Sequence, residues 1–344
     1  MNIHFVEPPA SAAKGGIALA MNTLEGFLSG SGINVVRDSN LRLLRNASSK
    51  EVAVHFHGMW QPRHIVSSWW CRMANIPYVV SPHGMLEPWA FKHKRWKKLP
   101  YFYSVEKYHL EAADRVLATS MIEARNLREV VDRAQVETIP LSLDVSRGPA
   151  YSEARSTLGW KPDQRVLLYL SRVHPKKGLH LLLEALRDHV SGPMGGLRLV
   201  VVGDGPADYV GRLRAYSDKH RAELPPTDWV GPVWGDDKWL YLQGADLFCL
   251  PTHSENFGLS VLEACHVGTP VLTTHQTPWG FLADWGSAWI TEPAVGEIGE
   301  ALQQFIHREQ WTLTEREQLA RRTKQQFALE QIGPQYLQLY RKII

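Results

Sequence analysis

The chain has 344 residues, 44% of them hydrophobic and 21% charged, and its formal net charge at pH 7 is +3. This composition is ordinary for a globular enzyme with a large core, and it excludes disordered, collagen-like and membrane-spanning proteins. The weak net charge argues against a nucleic-acid-binding protein, which would concentrate basic residues on one face.

Short β-rich runs alternate with amphipathic segments along the chain, the pattern of parallel sheets joined by crossover helices. Strands are predicted, in chain order, at 52–57, 78–81, 115–118, 166–171, 198–202, 246–250 and 270–273. Helices are predicted at 16–28, 122–131, 178–189, 207–220, 259–266 and from 296 onward. Several strands are almost continuously apolar, as expected for strands covered on both faces.

The N-terminal residues lack the basic head and apolar core of a secretion signal, and no later run approaches the length of a membrane span. We therefore expect a cytoplasmic protein. Its cysteines, Cys71, Cys249 and Cys265, lack the short paired spacings of zinc or redox motifs. They are expected to be reduced and mostly buried.

A cluster of basic residues interleaved with aromatic ones occupies residues 92–98 and their flanks. Such a mixture suits the headgroup region of an anionic membrane, where each nearby cation adds about 1 kcal/mol of attraction. It equally suits a solvated helix face. Both interpretations stay open, so the cytoplasmic protein is expected to be soluble or peripheral at the inner membrane face.

The alternation of elements is interrupted between residues 143 and 151, where Asp144, Gly148 and Pro149 precede a new helix and strand. The sequence therefore predicts two α/β domains, at 1–147 and 148–325, with a helix at 326–344 packing back on the first. Parallel α/β sheets bind ligands at the carboxyl ends of their strands, so two facing domains would hold a site in the cleft between them.

A basic turn follows the strand predicted at 166–171. Within it, Arg172 offers a planar fork for phosphate oxygens and Lys177 adds a point charge. The N–H groups of a helix that starts near Gly178 would complete an anion cradle. A basic turn can also be a solvated loop, but its position directly after a strand favours a phosphate site.

Two glutamates bracket a glycine-containing turn after the strand predicted at 246–250. Glu255 can accept hydrogen bonds from sugar hydroxyls, and Glu263, in the first turn of the following helix, can accept them from both hydroxyls of a ribose. Alternatives remain for both residues: Ser260 and Glu263 fit a helix capping box, and Glu255 fits a surface-loop carboxylate.

The basic turn and the Glu-x7-Glu element, in this order, resemble the retaining GT-B glycosyltransferases of family 4. Similarity to that family extends over nearly the whole chain, through segments at 15–17, 57–62, 81–85, 202–206, 229–231 and 245–251. Two departures occur: Ile139 to Asp144 replace an Asn-Gly pair of many relatives, and little sequence lies between Val36 and Val52 to form strands.

The resemblance implies two Rossmann-like domains and a retaining, metal-independent transfer of a hexose in polysaccharide biosynthesis. The donor would be a UDP- or GDP-sugar, used as co-substrate without a cofactor, and the acceptor a saccharide or lipid-linked saccharide. No Asp-x-Asp pair occurs in the sequence, so no metal is expected. By position, the resemblance implies catalytic roles for His83, Glu255, Arg172 and Lys177. It implies donor binding by Gly16, Gly203, Asn256, Phe257, Gly258, Leu259 and Glu263.

Other functions fit parts of the sequence. His83 could simply cap a strand end, and His55 and His57 suggest a packed strand rather than a metal site. Paired glutamates would suit a glycoside hydrolase, which has no use for a phosphate cradle. The run from Gly203 to Gly205 lacks the third glycine of a dehydrogenase motif. A nucleotide-sugar-binding protein without turnover and a sugar-nucleotide epimerase both remain open.

Overall fold

The computed structural model describes residues 1–7, 15–37, 51–88, 95–143, 148–190 and 196–344. The chain divides into two compact units. The first contains Met1–Asp144 and Gln326–Ile344, and the second contains Val145–Gln325. Each unit is built on a parallel sheet with helices on its faces, so the predicted α/β class is confirmed.

In the described part of the first unit, six parallel strands form one sheet in the order β2-β1-β3-β4-β5-β6. The strands are β1 Asn2–Val6, β2 Asn34–Arg37, β3 Val52–His57, β4 Tyr78–Ser81, β5 Arg115–Ala118 and β6 Val136–Thr138. The helices are α1 Gly16–Gly30, α2 Pro62–Met73, α3 Arg95–Tyr101, α4 Lys107–Glu111, α5 Met121–Val130 and, from the far end of the sequence, α13 Leu329–Ile343, with a π-helical turn at Phe102–Glu106. The short stretch between Val36 and Val52, noted above as having little sequence to form strands, therefore does not reduce the number of strands in this sheet below six.

Two separate cores cover the faces of this first sheet. Val54 and Phe56 of β3 point to one face and Ala53 to the other, as the two-residue period of a strand requires. The first face packs against α2, the π-helical turn, α4 and α5. The second packs against α1 and α13, where Tyr340 is completely buried.

The second unit repeats this architecture with six described parallel strands in the order β12-β11-β10-β7-β8-β9. The strands are β7 Arg165–Leu170, β8 Leu197–Val202, β9 Thr227–Gly231, β10 Leu247–Leu250, β11 Val271–Thr274 and β12 Ala288–Thr291. The helices are α6 Tyr151–Thr157, α7 Leu179–His189, α8 Ala207–Lys219, α9 Asp237–Gly244, α10 Leu259–His266, α11 Val295–His307 and α12 Leu313–Phe327. Because β7 pairs with both β8 and β10, the turns that follow these three strands lie side by side.

The stretch from residue 296 onward, predicted as helical, is divided into three helices. A capping box starts α12: the Glu315 N–H donates to Thr312 Oγ1 at 3.2 Å, and the Thr312 N–H donates to Glu315 Oε2 at 2.7 Å. Ala328 is extended, with ψ of 152°, and separates α12 from α13. None of the helices in the described ranges combines the length and apolarity that crossing a membrane requires.

Candidate functional site

The turn between β7 and α7 is fixed against the loop after β10. The carbonyl of Lys176 accepts hydrogen bonds from the His253 N–H at 2.8 Å and from Thr252 Oγ1 at 2.9 Å. Gly178 has φ of 73°, and a Cβ atom there would lie 1.9 Å from the carbonyl oxygen of Pro251. Only glycine allows this approach of two backbones, which places the basic turn beside the glutamate loop.

Two further glycines let the loop after β8 approach the same turn. Gly203 has φ of 138°, and a Cβ on it would lie 1.9 Å from the Ser171 carbonyl oxygen. A Cβ on Gly205 would lie 1.8 Å from the Val173 carbonyl oxygen. The structure therefore gives Gly203 a packing role; its predicted contact with a donor stays a prediction.

Lys177 and Glu255, predicted independently from two segments, meet in this edge of the second sheet. Lys177 Nζ and Glu255 Oε2 form an ion pair between mostly buried side chains. The Glu255 backbone N–H donates to the Gln276 carbonyl at 3.1 Å, which orients the loop. Arg172 lies in the same turn with an exposed side chain. An anion that reached this edge would meet a cation already positioned.

Glu263 lies deeper than predicted. Helix α10 begins at Leu259 after Gly258, with no side-chain cap, so the capping-box alternative for Ser260 is wrong. Glu263 is the fifth residue of α10, in its second rather than its first turn, and is only 5% exposed. Its Oε1 accepts a hydrogen bond from Lys238 Nζ at 2.7 Å. Burial raises the pKa of Glu263, and the Lys238 charge opposes that shift.

The loop from Asn256 to Gly258 is held from behind by Trp279, which follows β11. Trp279 Nε1 donates a hydrogen bond to the Phe257 carbonyl, and the two rings pack edge to face at 5.2 Å. Gly258 has φ of 80°, and a Cβ there would lie 3.1 Å from both Trp279 Nε1 and Glu255 Cγ. These contacts explain why glycine precedes Leu259 at the start of α10.

Histidines occupy the corresponding edge of the first sheet. His83 has φ of 52°, and its Nε2 lies 3.1 Å from His57 Nδ1. On the same strand as His57, His55 Nδ1 lies 2.7 Å from the Tyr340 hydroxyl, and its Nε2 lies 2.8 Å from Ser81 Oγ. His83, itself partly exposed, thus hydrogen-bonds to the buried His57, and does not merely cap a strand end.

This histidine cluster carries no charge at neutral pH. Burial lowers the pKa of His55 to about 3, with the neighbouring His83 adding to the shift. Burial also lowers the pKa of His83 to about 4 and that of His57 well below its ordinary value. A cavity of about 20 Å³ beside His57 and His83 has room for one water molecule and not for a sugar.

Some predictions could not be compared with the structure. Gly16 is exposed at the start of α1, but residues 8–14 before it lie outside the described ranges. Residues 92–94 of the basic aromatic cluster lie outside them too, whereas Trp96 and Lys98 are described. Within the described ranges, no three His, Cys, Asp or Glu side chains are grouped as metal ligands.

Three contributors to these edges were not identified from the sequence. Lys238 pairs with Glu263, Trp279 supports the glutamate loop, and His57 pairs with His83. Lys238 and Trp279 could have been predicted only from a sequence motif beside them, and neither residue lies next to such a motif. His57 did carry a signal, since it alternates with His55 on a strand that ends near His83.

Two Rossmann-like parallel sheets in one chain, with turns and charged side chains at the carboxyl edge of the second, define the GT-B class of proteins. A family model described as Glycosyltransferase Family 4 matches residues 39–147, and one described as Glycosyl transferases group 1 matches residues 151–326. The chain belongs to the Glycosyl transferases group 1 family. The resemblance to family 4 and the GT-B fold are thus confirmed.

Solved structures agree on the fold. Sucrose-phosphate synthase from Thermosynechococcus elongatus superposes with a TM-score of 0.82 at 20% identity, covering 100% of this chain and 99% of that one. The Anabaena protein HepE, in complex with UDP and glucose, superposes with a TM-score of 0.73 at 18% identity, covering 99% of each chain. At these identities the likeness concerns the fold alone.

Curated relatives match over shorter segments. D-inositol 3-phosphate glycosyltransferase from Segniliparus rotundus is 30% identical over 166 residues, 46% of this chain and 36% of that protein. Alpha-monoglucosyldiacylglycerol synthase from Streptococcus pneumoniae is 27% identical over 226 residues, 62% of this chain and 50% of that protein. The matches therefore span between about a third and a half of these relatives' own lengths.

Proposed function

We propose that the protein transfers a hexose from a UDP- or GDP-sugar to a hydroxyl of a saccharide or lipid-linked saccharide, with retention of configuration and without a metal ion. The observation that carries this proposal is the ion pair between Lys177 and Glu255 at the carboxyl edge of the second sheet. It brings a cation for a diphosphate and a carboxylate for sugar hydroxyls together beside the glycine-only turn at Gly178.

Stabilisation of the leaving group is the main catalytic task in this proposal. When the bond between the sugar and the diphosphate breaks, negative charge develops on the phosphate oxygens, and cations positioned in advance lower the barrier. Lys177 and Arg172 supply those cations, and the N-terminus of α7, next to Gly178, adds its partial positive charge. Glu255, released from Lys177, accepts hydrogen bonds from the donor sugar.

Glu263 binds the ribose in this proposal. Its buried carboxylate is compensated by Lys238 at 2.7 Å, so one carboxylate oxygen is oriented and the other can accept hydroxyl donors. The backbone of Asn256, Phe257, Gly258 and Leu259, supported by Trp279, lines the same loop. Gly16 and Gly203 are assigned to the donor only through the family resemblance.

The reacting hydroxyl and His83 belong to the acceptor side. The acceptor oxygen forms its bond to the anomeric carbon while the bond to the diphosphate breaks, and the departing phosphate takes the acceptor proton on the same face. His83 contributes a neutral imidazole, since its pKa of about 4 keeps it uncharged. A neutral ring can hydrogen-bond to sugar hydroxyls without competing with Lys177 for the diphosphate.

Polysaccharide or glycolipid assembly in the cytoplasm is the proposed setting, with peripheral contact between residues 92–98 and an anionic membrane. The match to a glucosyldiacylglycerol synthase supports an acceptor that is itself part of a lipid. The basic aromatic composition of residues 92–98 supports the same setting.

Nucleotide-dependent thermal stabilisation tests the proposal. A panel of UDP- and GDP-sugars is added in the presence of EDTA to the wild type, Lys177→Ala and Glu263→Ala. Arg198→Ala is the matched control, because Arg198 pairs with Asp228 near the amino end of β8. One nucleotide family should stabilise the wild type and the control and leave both site variants unshifted.

Product analysis completes the test. Transfer to an added saccharide acceptor, detected by mass spectrometry with EDTA present, is the expected result. Conversion of the donor without an acceptor would indicate an epimerase, and binding without any product would indicate a nucleotide-sugar-binding protein. Equal stabilisation of all four proteins, or of none, would contradict the proposed site.

A further inference from the structure

Helix α2 exposes three large apolar side chains and buries two polar ones. Val66, Trp69 and Met73 follow one another at helical spacing and are between 58% and 67% exposed. On the opposite side, His64 and Ser68 are buried against the sheet. A surface helix of a globular protein normally has the reverse arrangement, so something other than water is expected on the outer face of α2.

Neighbouring elements extend this apolar surface. Helix α4 packs beside α2, and its Tyr108 is exposed, as are Tyr103 of the π-helical turn and Trp96 of α3. Helix α2, the π-helical turn and α4 belong to the helical layer on one face of the first sheet, and α3 leads directly into the π-helical turn. In the described ranges, the layer on the other face, α1 and α13, contributes none of the large exposed apolar side chains.

The segment that carries this surface is strongly basic. Between Pro62 and Tyr108 the sequence has eight Lys and Arg residues and two acidic ones, Glu87 and Glu106. Both glutamates are buried, so they do not neutralise the outer surface. Lys107 is compensated by Asp132 at 2.9 Å and by Glu111 at 3.5 Å, whereas Arg72 is exposed on α2 next to Met73.

We propose that this surface, formed by Val66, Trp69, Met73, Trp96, Tyr103 and Tyr108, docks into the headgroup region of an anionic lipid bilayer. The inference rests on the proposed function, whose lipid-linked acceptor would lie in that bilayer, and adds α2 as the part that inserts. Tryptophan and tyrosine suit an interface because one end of each ring system is apolar and the other polar. Cations around them attract anionic lipids.

Charge argues against a second copy of the chain as the occupant. A symmetric dimer would bring the same basic segment of both copies together, and like charges facing each other across an interface oppose association. An anionic bilayer gains from the same charges. The surface is therefore assigned to lipid, and self-association becomes an outcome of the test.

Vesicle co-sedimentation tests this assignment. Wild type is mixed with vesicles of phosphatidylcholine alone or of phosphatidylcholine with phosphatidylglycerol, at low and high salt. The test variant combines Val66→Ser, Trp69→Ser and Met73→Ser. The matched control combines Trp234→Ser and Leu313→Ser, which removes exposed apolar side chains from the second unit. Circular dichroism melting establishes that both variants fold, as expected for exposed positions.

Wild type and control should bind the anionic vesicles preferentially, and the triple variant should bind them at least about tenfold more weakly. Unchanged vesicle binding by the triple variant would overturn the proposal. So would a wild-type dimer in analytical ultracentrifugation that the triple variant converts to a monomer without any vesicle binding by either.

Nucleotide-dependent stabilisation is measured on the same samples, because all the proposed donor-binding residues except Gly16 belong to the second unit. It should be equal in wild type, control and triple variant. Vesicle binding without any nucleotide effect would refute the proposed function and leave the docking surface in place. A nucleotide effect without loss of vesicle binding would refute only the docking surface.

Discussion

The two sheets have the same number of described strands and the same parallel direction, but different side chains meet at their carboxyl edges. In the second sheet, cations pair with carboxylates, Lys177 with Glu255 and Lys238 with Glu263. In the first sheet, the groups that meet are uncharged imidazoles, including His83. Under the proposed function, this difference would separate two tasks, with charge used for a diphosphate and neutral hydrogen bonding for a hydroxyl.

Replacing Lys177 by alanine, which removes one charge from the edge of the second sheet, should cause the largest loss of transfer activity. The variant removes a cation from the leaving group and leaves Glu255 without its partner. We expect kcat/KM for transfer to fall by about 100- to 1,000-fold, the usual loss for one preorganised electrostatic group. Steady-state kinetics with the donor identified by thermal shift provide the measurement.

Arg198→Ala removes an ion pair of the same unit far from the turn and should keep kcat/KM within about twofold of wild type. A Lys177→Ala enzyme with wild-type kcat/KM would mean that the charged edge is structural. The contrast between the two sheets would then have no catalytic meaning.

Replacing Gly178 by alanine tests whether the charged edge depends on backbone contact. The added Cβ would lie 1.9 Å from the Pro251 carbonyl oxygen at φ of 73°. We expect the free energy of unfolding to drop by about 2 to 4 kcal/mol, from a left-handed alanine and the displaced loop. Urea unfolding, followed by circular dichroism, measures it.

Gly211→Ala is the matched control, since a Cβ on Gly211 meets no atom within 4 Å and lies inside α8. Alanine there should raise the free energy of unfolding by about 0.5 to 1 kcal/mol. Equal effects of both substitutions would show that the approach of Gly178 to Pro251 does not stabilise the fold.

Acid sensitivity should be concentrated in the first unit. Burial lowers the pKa of His64 to about 4 and of His109 to about 3, as it does for the three histidines at the sheet edge. Below pH 6.5 these histidines bind protons in the unfolded chain but stay neutral in the folded protein. The unfolding free energy therefore falls as pH falls. Glu106, with pKa raised to about 7 by burial, shifts in the opposite sense and offsets part of the loss.

His109→Phe isolates one contribution to this acid sensitivity. Both ring nitrogens of His109 are buried without a hydrogen-bond partner, and its ring stacks on Tyr78. Between about pH 7 and about pH 5, the variant should lose roughly 2 kcal/mol less unfolding free energy than wild type. Urea titrations at both pH values measure the difference, with the exposed His307→Phe as control. An identical loss in wild type and His109→Phe would contradict the assignment.

Elements with a complete local pattern could be predicted from the sequence. Strand β3 and helix α10 were predicted with the bounds that the structure has, because an apolar run and a glycine mark their ends. The basic turn and the glutamate loop were placed correctly after β7 and β10. Their meeting, through Lys177 and Glu255, follows from the pairing of β7 with β10.

The remaining features depend on contacts that no local pattern encodes. Tyr340 reaches His55 across 285 residues of sequence, and Lys238 reaches Glu263 from a helix without a motif. Strands such as β6, three residues long, are too short for a periodic signal. Helix α2 is an exception, since Val66, Trp69 and Met73 recur at helical spacing, a local signal from which the helix could have been predicted.

Helix α13 has a consequence for the order in which the chain acquires its structure. It covers one face of the first sheet, where Ile332 and Leu339 pack with residues of β1, β3 and α1. The second unit, Val145–Gln325, is inserted between Asp144 and the segment that carries α13. During synthesis the second unit can therefore fold from a contiguous stretch, whereas one apolar face of the first sheet is covered only by α1 until residues 329–343 emerge. The half of the molecule that is made first is the half that is finished last.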